Sequence, residues 1–142
     1  MKRIKNIILG ALFFGLPVLV AGCSDDESKD KTAPTVTIQS PVNSTLFYRG
    51  QSLILNGAFA DDRELSHVTV TIHTLKAARG IDTPWEASET IELKGKEHNL
   101  ASYELFGAPI PSDIMSGNYY LDVLVVDKAL NESKIVVAVV VE

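Results

Sequence analysis

From residue 34 to residue 142, apolar and polar residues alternate one by one in short runs broken by turn residues, and a period of two dictates strands. Val36 and Ile38 alternate with Thr35 and Thr37, and Leu53, Leu55, Gly57 and Phe59 with Ile54, Asn56, Ala58 and Ala60. Val68, Val70 and Ile72 oppose His67, Thr69, Thr71 and His73, and Tyr119, Leu121, Val123 and Val125 form one further row. Shorter runs around Ile91 and Leu93, over residues 101–106 and over residues 134–142 complete the set. Seven or eight strands at short spacing, with no convincing helix, predict an all-β antiparallel sandwich. A hydrophobic share of 46% with 22% charged residues is that of a globular chain. Residues 75–88, broken by Gly80 and Pro84, read as an extended loop, with Trp85 folding back over an edge of the sandwich.

The first 22 residues obey different physics. A cationic start containing Lys2, Arg3 and Lys5 precedes an apolar run over residues 7–20. As a helix that run would span about 21 Å, short of the roughly 30 Å hydrocarbon core, so it predicts a cleaved signal segment and not a permanent span. The sequence Val20-Ala21-Gly22-Cys23 resembles the lipobox of bacterial lipoproteins. The resemblance implies a diacylglycerol thioether on Cys23, cleavage before it and acylation of the new amino group. Cys23 is also the only cysteine, which excludes an internal disulfide. Several acyl chains anchor a protein stably where one does not. Residues 24–32 are all charged or hydroxylated and predict a flexible tether. Ser24 stands where an Asp would resemble an inner-membrane retention signal. The cluster Asp25-Asp26-Glu27 resembles the export signal of Bacteroidota lipoproteins destined for the exterior of the outer membrane. The periplasmic face of that membrane is the alternative destination.

The expected organisation is therefore a signal peptide over residues 1–22, a lipidated Cys23 with its tether to residue 32, and one domain over residues 33–142. Removing the three leader cations leaves ten basic residues against eighteen acidic, a net charge of −8. Nucleic-acid binding, which needs clustered Lys and Arg, is excluded on that balance.

The segments PTVTIQSP, FADDREL, VTVTI and GNYYLDVLVVDKALN resemble single bacterial Ig-like modules, and with the later Trp85 they resemble an uncharacterised family of Bacteroidota lipoproteins of that fold. The resemblance implies an Ig-like sandwich and an envelope location, and it implies no activity. One departure is the turn DKALN, where Leu130 replaces the usual Gly.

In such a sandwich the strands ending at Asp61 and Asp127 lie in opposite sheets and run parallel. Both aspartates continue inward-facing rows and are expected at one pole, with Asp62, Glu64 and Asn131 in the adjoining loops. This oxygen-rich set could hold calcium, which takes six to eight oxygen ligands. The competing expectation is that the aspartates accept backbone N–H bonds and fix their turns. No other cofactor is expected. His67 and His73 lie about 20 Å apart along one strand and cannot share a zinc ion. No nucleophile stands in a recognisable catalytic motif, so no enzyme is expected. Tyr119 resembles the tyrosine of the sixth sandwich strand whose hydroxyl ties down a loop.

The last strand is apolar on both parities. Ile135, Val137, Val139 and Val141 can face the core, which leaves Val136, Ala138 and Val140 outside, beside Leu124 and Val126. That patch is either covered by the loop over residues 75–88 with Trp85, or it contacts a partner or a second copy. The functional expectation is a noncatalytic, surface-displayed binding or adhesion module for a protein or glycan. A structural accessory of another envelope protein is the alternative, and a small hydrolase is the remote one.

Overall fold

A computed structural model describes residues 29–75 and 83–142. The leader, Cys23 and most of the tether lie outside the described residues, as does the centre of the 75–88 loop. Eight strands follow one another: β1 (Thr35–Ser40), β2 (Thr45–Phe47), β3 (Ile54–Ala60), β4 (Leu65–His73), β5 (Ala87–Glu92), β6 (Glu97–Glu104), β7 (Gly117–Asp127) and β8 (Glu132–Val141). They form a three-stranded sheet in the order β1-β3-β6 and a five-stranded sheet in the order β2-β8-β7-β4-β5. All neighbours are antiparallel except β2, which runs parallel to β8. The expected all-β sandwich is the fold, antiparallel apart from the β2–β8 pair.

The alternating rows meet between the sheets as expected. Leu55 and Phe59 of β3 face Val68, Val70 and Ile72 of β4, Tyr119, Leu121, Val123 and Val125 of β7, and Val137, Val139 and Val141 of β8 in one buried cluster. Each such side chain contributes about 1.5–3 kcal/mol on burial. Gly57 occupies the inward row between Leu55 and Phe59 for a steric reason. A Cβ there would stand 3.1 Å from the Ile38 side chain and 3.2 Å from the Phe59 ring. The turn-rich stretch after β6 is anchored by Ile110 and Ile114, both in the core although neither belongs to a strand.

Trp85 corrects one expectation. It is 8% exposed, inside the core cluster, edge-on to Phe106 at 5.6 Å and to Tyr119 at 6.2 Å. It does not lie over the outer face of β8. The Tyr119 hydroxyl donates to the Met115 carbonyl at 2.7 Å and accepts from the Trp85 backbone at 3.4 Å, tying down both flanking loops. Burial pushes that hydroxyl's pKa up.

The β7–β8 turn departs from the Ig-like pattern at Leu130, and Leu130 sits there at φ 69° and 79% exposed. An L-residue in the left-handed region costs about 1–2 kcal/mol, of which glycine's greater unfolded-state freedom gives back about 0.5–1 kcal/mol. Leu130→Gly should raise stability by about 0.5–1 kcal/mol. The measurement is a urea midpoint that moves up with an unchanged slope.

Candidate functional site

The pole expected to hold Asp61 and Asp127 is built from the β3–β4 and β7–β8 turns. Asp61 ends the β3 row, and its backbone N–H donates to the Lys96 carbonyl at 2.8 Å. Its Oδ2 accepts the backbone N–H groups of Arg63 and Glu64, both at 2.8 Å, which sets the turn. Its Oδ1 is fully buried and has no hydrogen-bond partner. Asp62 is exposed, its carbonyl accepts from Lys96 Nζ at 2.7 Å, and its Oδ2 lies 3.5 Å from Thr32 Oγ1.

Asp30 joins this pair, which sequence reasoning did not foresee. Its Oδ1 accepts the Thr32 backbone N–H at 3.0 Å, and its Oδ2 stands 3.8 Å from Arg63 Nε. Its side chain is only 6% exposed. Asp30, Asp61 and Asp62 each place an oxygen within 4.8 Å of the other two. The signal for Asp30 was local, an Asp two residues before a Thr in Asx-turn spacing, but it was submerged in a run of charged residues. The last residues of the expected tether, Asp30 and Thr32, thus contact Arg63 and Asp62 of the β3–β4 turn.

Asp127, Asn131 and Glu64 do other work. Asp127 is wholly buried, with Oδ1 accepting the Asn131 backbone N–H at 2.8 Å and Oδ2 accepting Asn131 Nδ2 at 2.7 Å. The Glu64 carbonyl accepts the Lys128 N–H at 2.9 Å and joins the two turns. The structure thus separates the five expected oxygen donors. Asp61 and Asp62 stand with Asp30, while Asp127 and Asn131 satisfy each other.

Beside this pole an open cavity of about 360 Å³ is lined by Glu64, Ser66, His67, Glu92, Lys94 and Lys128 among others. His67 Nδ1 lies 3.0 Å from the neighbouring Ser66 Oγ. His73 lies further along the same face, and His98 is on β6, where its Nδ1 accepts the Lys94 N–H at 3.2 Å. No histidine belongs to the carboxylate group found among the described residues.

The outer face of the five-stranded sheet carries the expected apolar patch in altered form. Val136 is 50% exposed, and Leu124, Ala138 and Val140 are half-buried. Val126 is 5% exposed and drops out of the patch. A bulge between Leu65 and His67 shifts the phase there, so Val125, Val126 and Asp127 are buried in succession. Leu46 of β2, 43% exposed, takes its place beside Val140. The patch is interrupted by polar neighbours, since Val136 pairs with Asp122, Ala138 with Tyr120 and Leu124 with Lys134.

Asp122 is the electrostatic centre of this face. Lys134 Nζ donates to its Oδ2 at 2.6 Å, and His73 Nε2, whose ring stacks on Tyr120, lies 3.6 Å from its Oδ1. Partial burial disfavours its charge, but the Lys134 hydrogen bond and the charges of Lys134 and His73 outweigh burial and hold the carboxyl below its ordinary value of 3.8.

The sequence matches the model of the domain of unknown function DUF4625 over residues 21–142. No curated protein matches. Among solved structures, the fibronectin(III)-like modules of Clostridium thermocellum CbhA are similar at 18% identity and a TM-score of 0.45, over 75% of this chain and 94% of that one.

A carboxyl with a depressed folded-state pKa contributes stability that is present above its unfolded pKa and lost as pH falls through the folded one. Asp122→Asn should therefore cost about 1 kcal/mol or less at pH 7. That difference from the parent should fade as pH falls below 3.8, read as converging urea midpoints.

Proposed function

The chain belongs to the family of the domain of unknown function DUF4625, and we propose that it is a noncatalytic binding module, lipid-anchored through Cys23 in the outer membrane and displayed on the cell exterior. The observation that carries this reading is the placement of the only cysteine. It directly follows small residues and an apolar run too short to span a bilayer, where lipidation would leave no thiol for redox or metal chemistry. The acidic run Asp25-Asp26-Glu27 supports the outward-facing destination.

The fold supports a binding role over a catalytic one through the way its polar groups are used. Asp127, Asn131 and most of Asp61's acceptor capacity serve turns. The outer face of the five-stranded sheet is the surface we assign to a protein partner. It presents Val136 and Leu46 exposed, with Leu124, Ala138 and Val140 half-buried beside them. Asp122, Lys134 and His73 stand between these apolar positions and supply directional contacts. Exposed apolar side chains beside a three-residue edge strand favour association.

Cys23→Ser should move the protein from the membrane fraction to the soluble fraction on cell fractionation. Retention of the full-length variant in membranes would contradict the anchor. Protease added to intact cells should remove the domain of the parent protein, whereas cleavage only after the outer membrane is permeabilised would place the module on the periplasmic face.

A further inference from the structure

The bulge that buries Val126 has a second effect, on β4 itself. Two residues of the bulged strand stand against one of its partner, and Ser66 and His67 are both half-buried in succession between the buried Leu65 and Val68. Both line the open cavity of about 360 Å³. Ser66 Oγ lies 3.0 Å from His67 Nδ1, and Nε2 has no partner among the described residues. With the Ser66 hydroxyl donating to Nδ1, Nε2 carries the ring proton and is a donor. Glu92 stands directly opposite His67 on β5.

Three turns bring charge to this pair. Glu64 ends the β3–β4 turn, Lys94 lies in the β5–β6 turn and Lys128 begins the β7–β8 turn. Backbone hydrogen bonds of 2.9 Å lock these segments together, from the Lys128 N–H to the Glu64 carbonyl, from the Leu65 N–H to the Gly95 carbonyl and from the Leu93 N–H to the Ser66 carbonyl. The side-chain ends take no part in this. Among the described residues, no hydrogen bond or ion pair engages the ammonium of Lys94 or Lys128, or the carboxylate of Glu64 or Glu92. A fixed backbone with unengaged polar ends is preorganised, because binding need not first break internal contacts. The volume falls in the range of about 300–1,000 Å³ usual for small-molecule sites.

We propose that this bulge cavity binds an acidic sugar, a hexuronic acid at the end of a glycan chain. Lys94, Lys128 and His67 Nε2 are donors for a single carboxylate. Glu64 comes from a turn and Glu92 from a strand, so they accept hydroxyl protons at separate points of a ring. The Ser66 and Thr90 hydroxyls add neutral donor–acceptor groups on the same wall. The lining matches two ammonium groups with two carboxylates, which accommodates one negative charge and repels a polyanion. A free amino acid satisfies the charges but has no ring of hydroxyls for the remaining groups. The cavity shares no residue with the apolar surface assigned to a protein partner, and it does not rest on the membrane anchor.

An NMR titration of the isotopically labelled full chain in detergent, with glucuronic acid as the probe, tests the site. Glucuronate should shift the His67 ring signals and the Ser66 and Lys94 amide signals in a saturable way. Glucose, the same ring without the carboxylate, should bind roughly tenfold more weakly or worse. Lys94→Gln and Lys128→Gln should each weaken glucuronate binding by roughly tenfold. Their urea midpoints should match the parent, because both side chains are exposed. Lys96→Gln, which removes a cation of the β5–β6 turn that does not line the cavity, should bind like the parent. The absence of a saturable shift at His67, or full binding kept by both lysine variants, overturns the site. Glucose binding as tightly as glucuronate, or glycine or inorganic sulfate displacing it at equal concentration, overturns the acidic sugar as its ligand. None of these readouts depends on Cys23 or on Val136 and its neighbours, so failure of this site is distinguishable from failure of the anchor or of the protein surface.

Discussion

Asp127 is the charged side chain on which the larger sheet turns. It is wholly buried, and both carboxylate oxygens are satisfied by Asn131 four residues later. The result is a closed turn that feeds the pairing of β7 with β8, from Val126 opposite Glu132 to Gly117 opposite Val141. A strand's side chains alternate with period two, so a slip of one residue would turn Val137, Val139 and Val141 outward. The turn therefore fixes which valines are core. β4 pairs with the other edge of β7, and β2 pairs with the free edge of β8, so four of the five strands are ordered around that hairpin.

The same use of carboxylates as turn and edge fixtures recurs elsewhere. Glu89 sits in the inward row of the edge strand β5, between Ala87 and Ile91, where an apolar residue would be expected. Its two oxygens accept from the Tyr103 hydroxyl at 2.5 Å and from the Phe106 backbone at 2.6 Å, so one side chain links the two sheets. It also holds Phe106 in the left-handed region at φ 63°. The hydrogen bond to Glu89, together with burial, raises the Tyr103 pKa. With Trp85 and Phe106 edge-on nearby, this bridge closes the side of the sandwich that β5 leaves open.

Much of this was legible in the sequence because burial in a sandwich is written with period two. The inward rows of β3, β4, β7 and β8 fall where alternation puts them, and the loop-tying hydroxyl of Tyr119 follows from its place at the start of its row. What alternation could not show depends on chain contacts distant in sequence. The bulge at Leu65 and His67 buries Val126, and nothing within β7 announces it. Glu89 reads as a solvated strand residue until Tyr103 and Phe106 are brought across to it. Asp30 reads as one more solvated charge in a polar run, and only the arrival of the β3–β4 turn makes it part of a cluster. Trp85 could be assigned to an edge, but which edge depended on where Tyr119 and Phe106 lay. The acidic pole was legible as a place and not as a set of partners, because parity fixes a side chain's direction without saying which acceptor it meets.

The core and the turns make the frame, and the proposed address lies in the chain ahead of it. In the reading we propose, cleavage before Cys23 and acylation of that residue would make the domain a displayed module, with its outer sheet face turned to a partner. Mass spectrometry of the N-terminal tryptic peptide of the native protein tests this most directly. The account predicts that the peptide spans residues 23–29 and carries diacylglyceryl and acyl mass on Cys23. A chain still beginning at Met1, or an unmodified Cys23 that takes up an alkylating reagent, would contradict it.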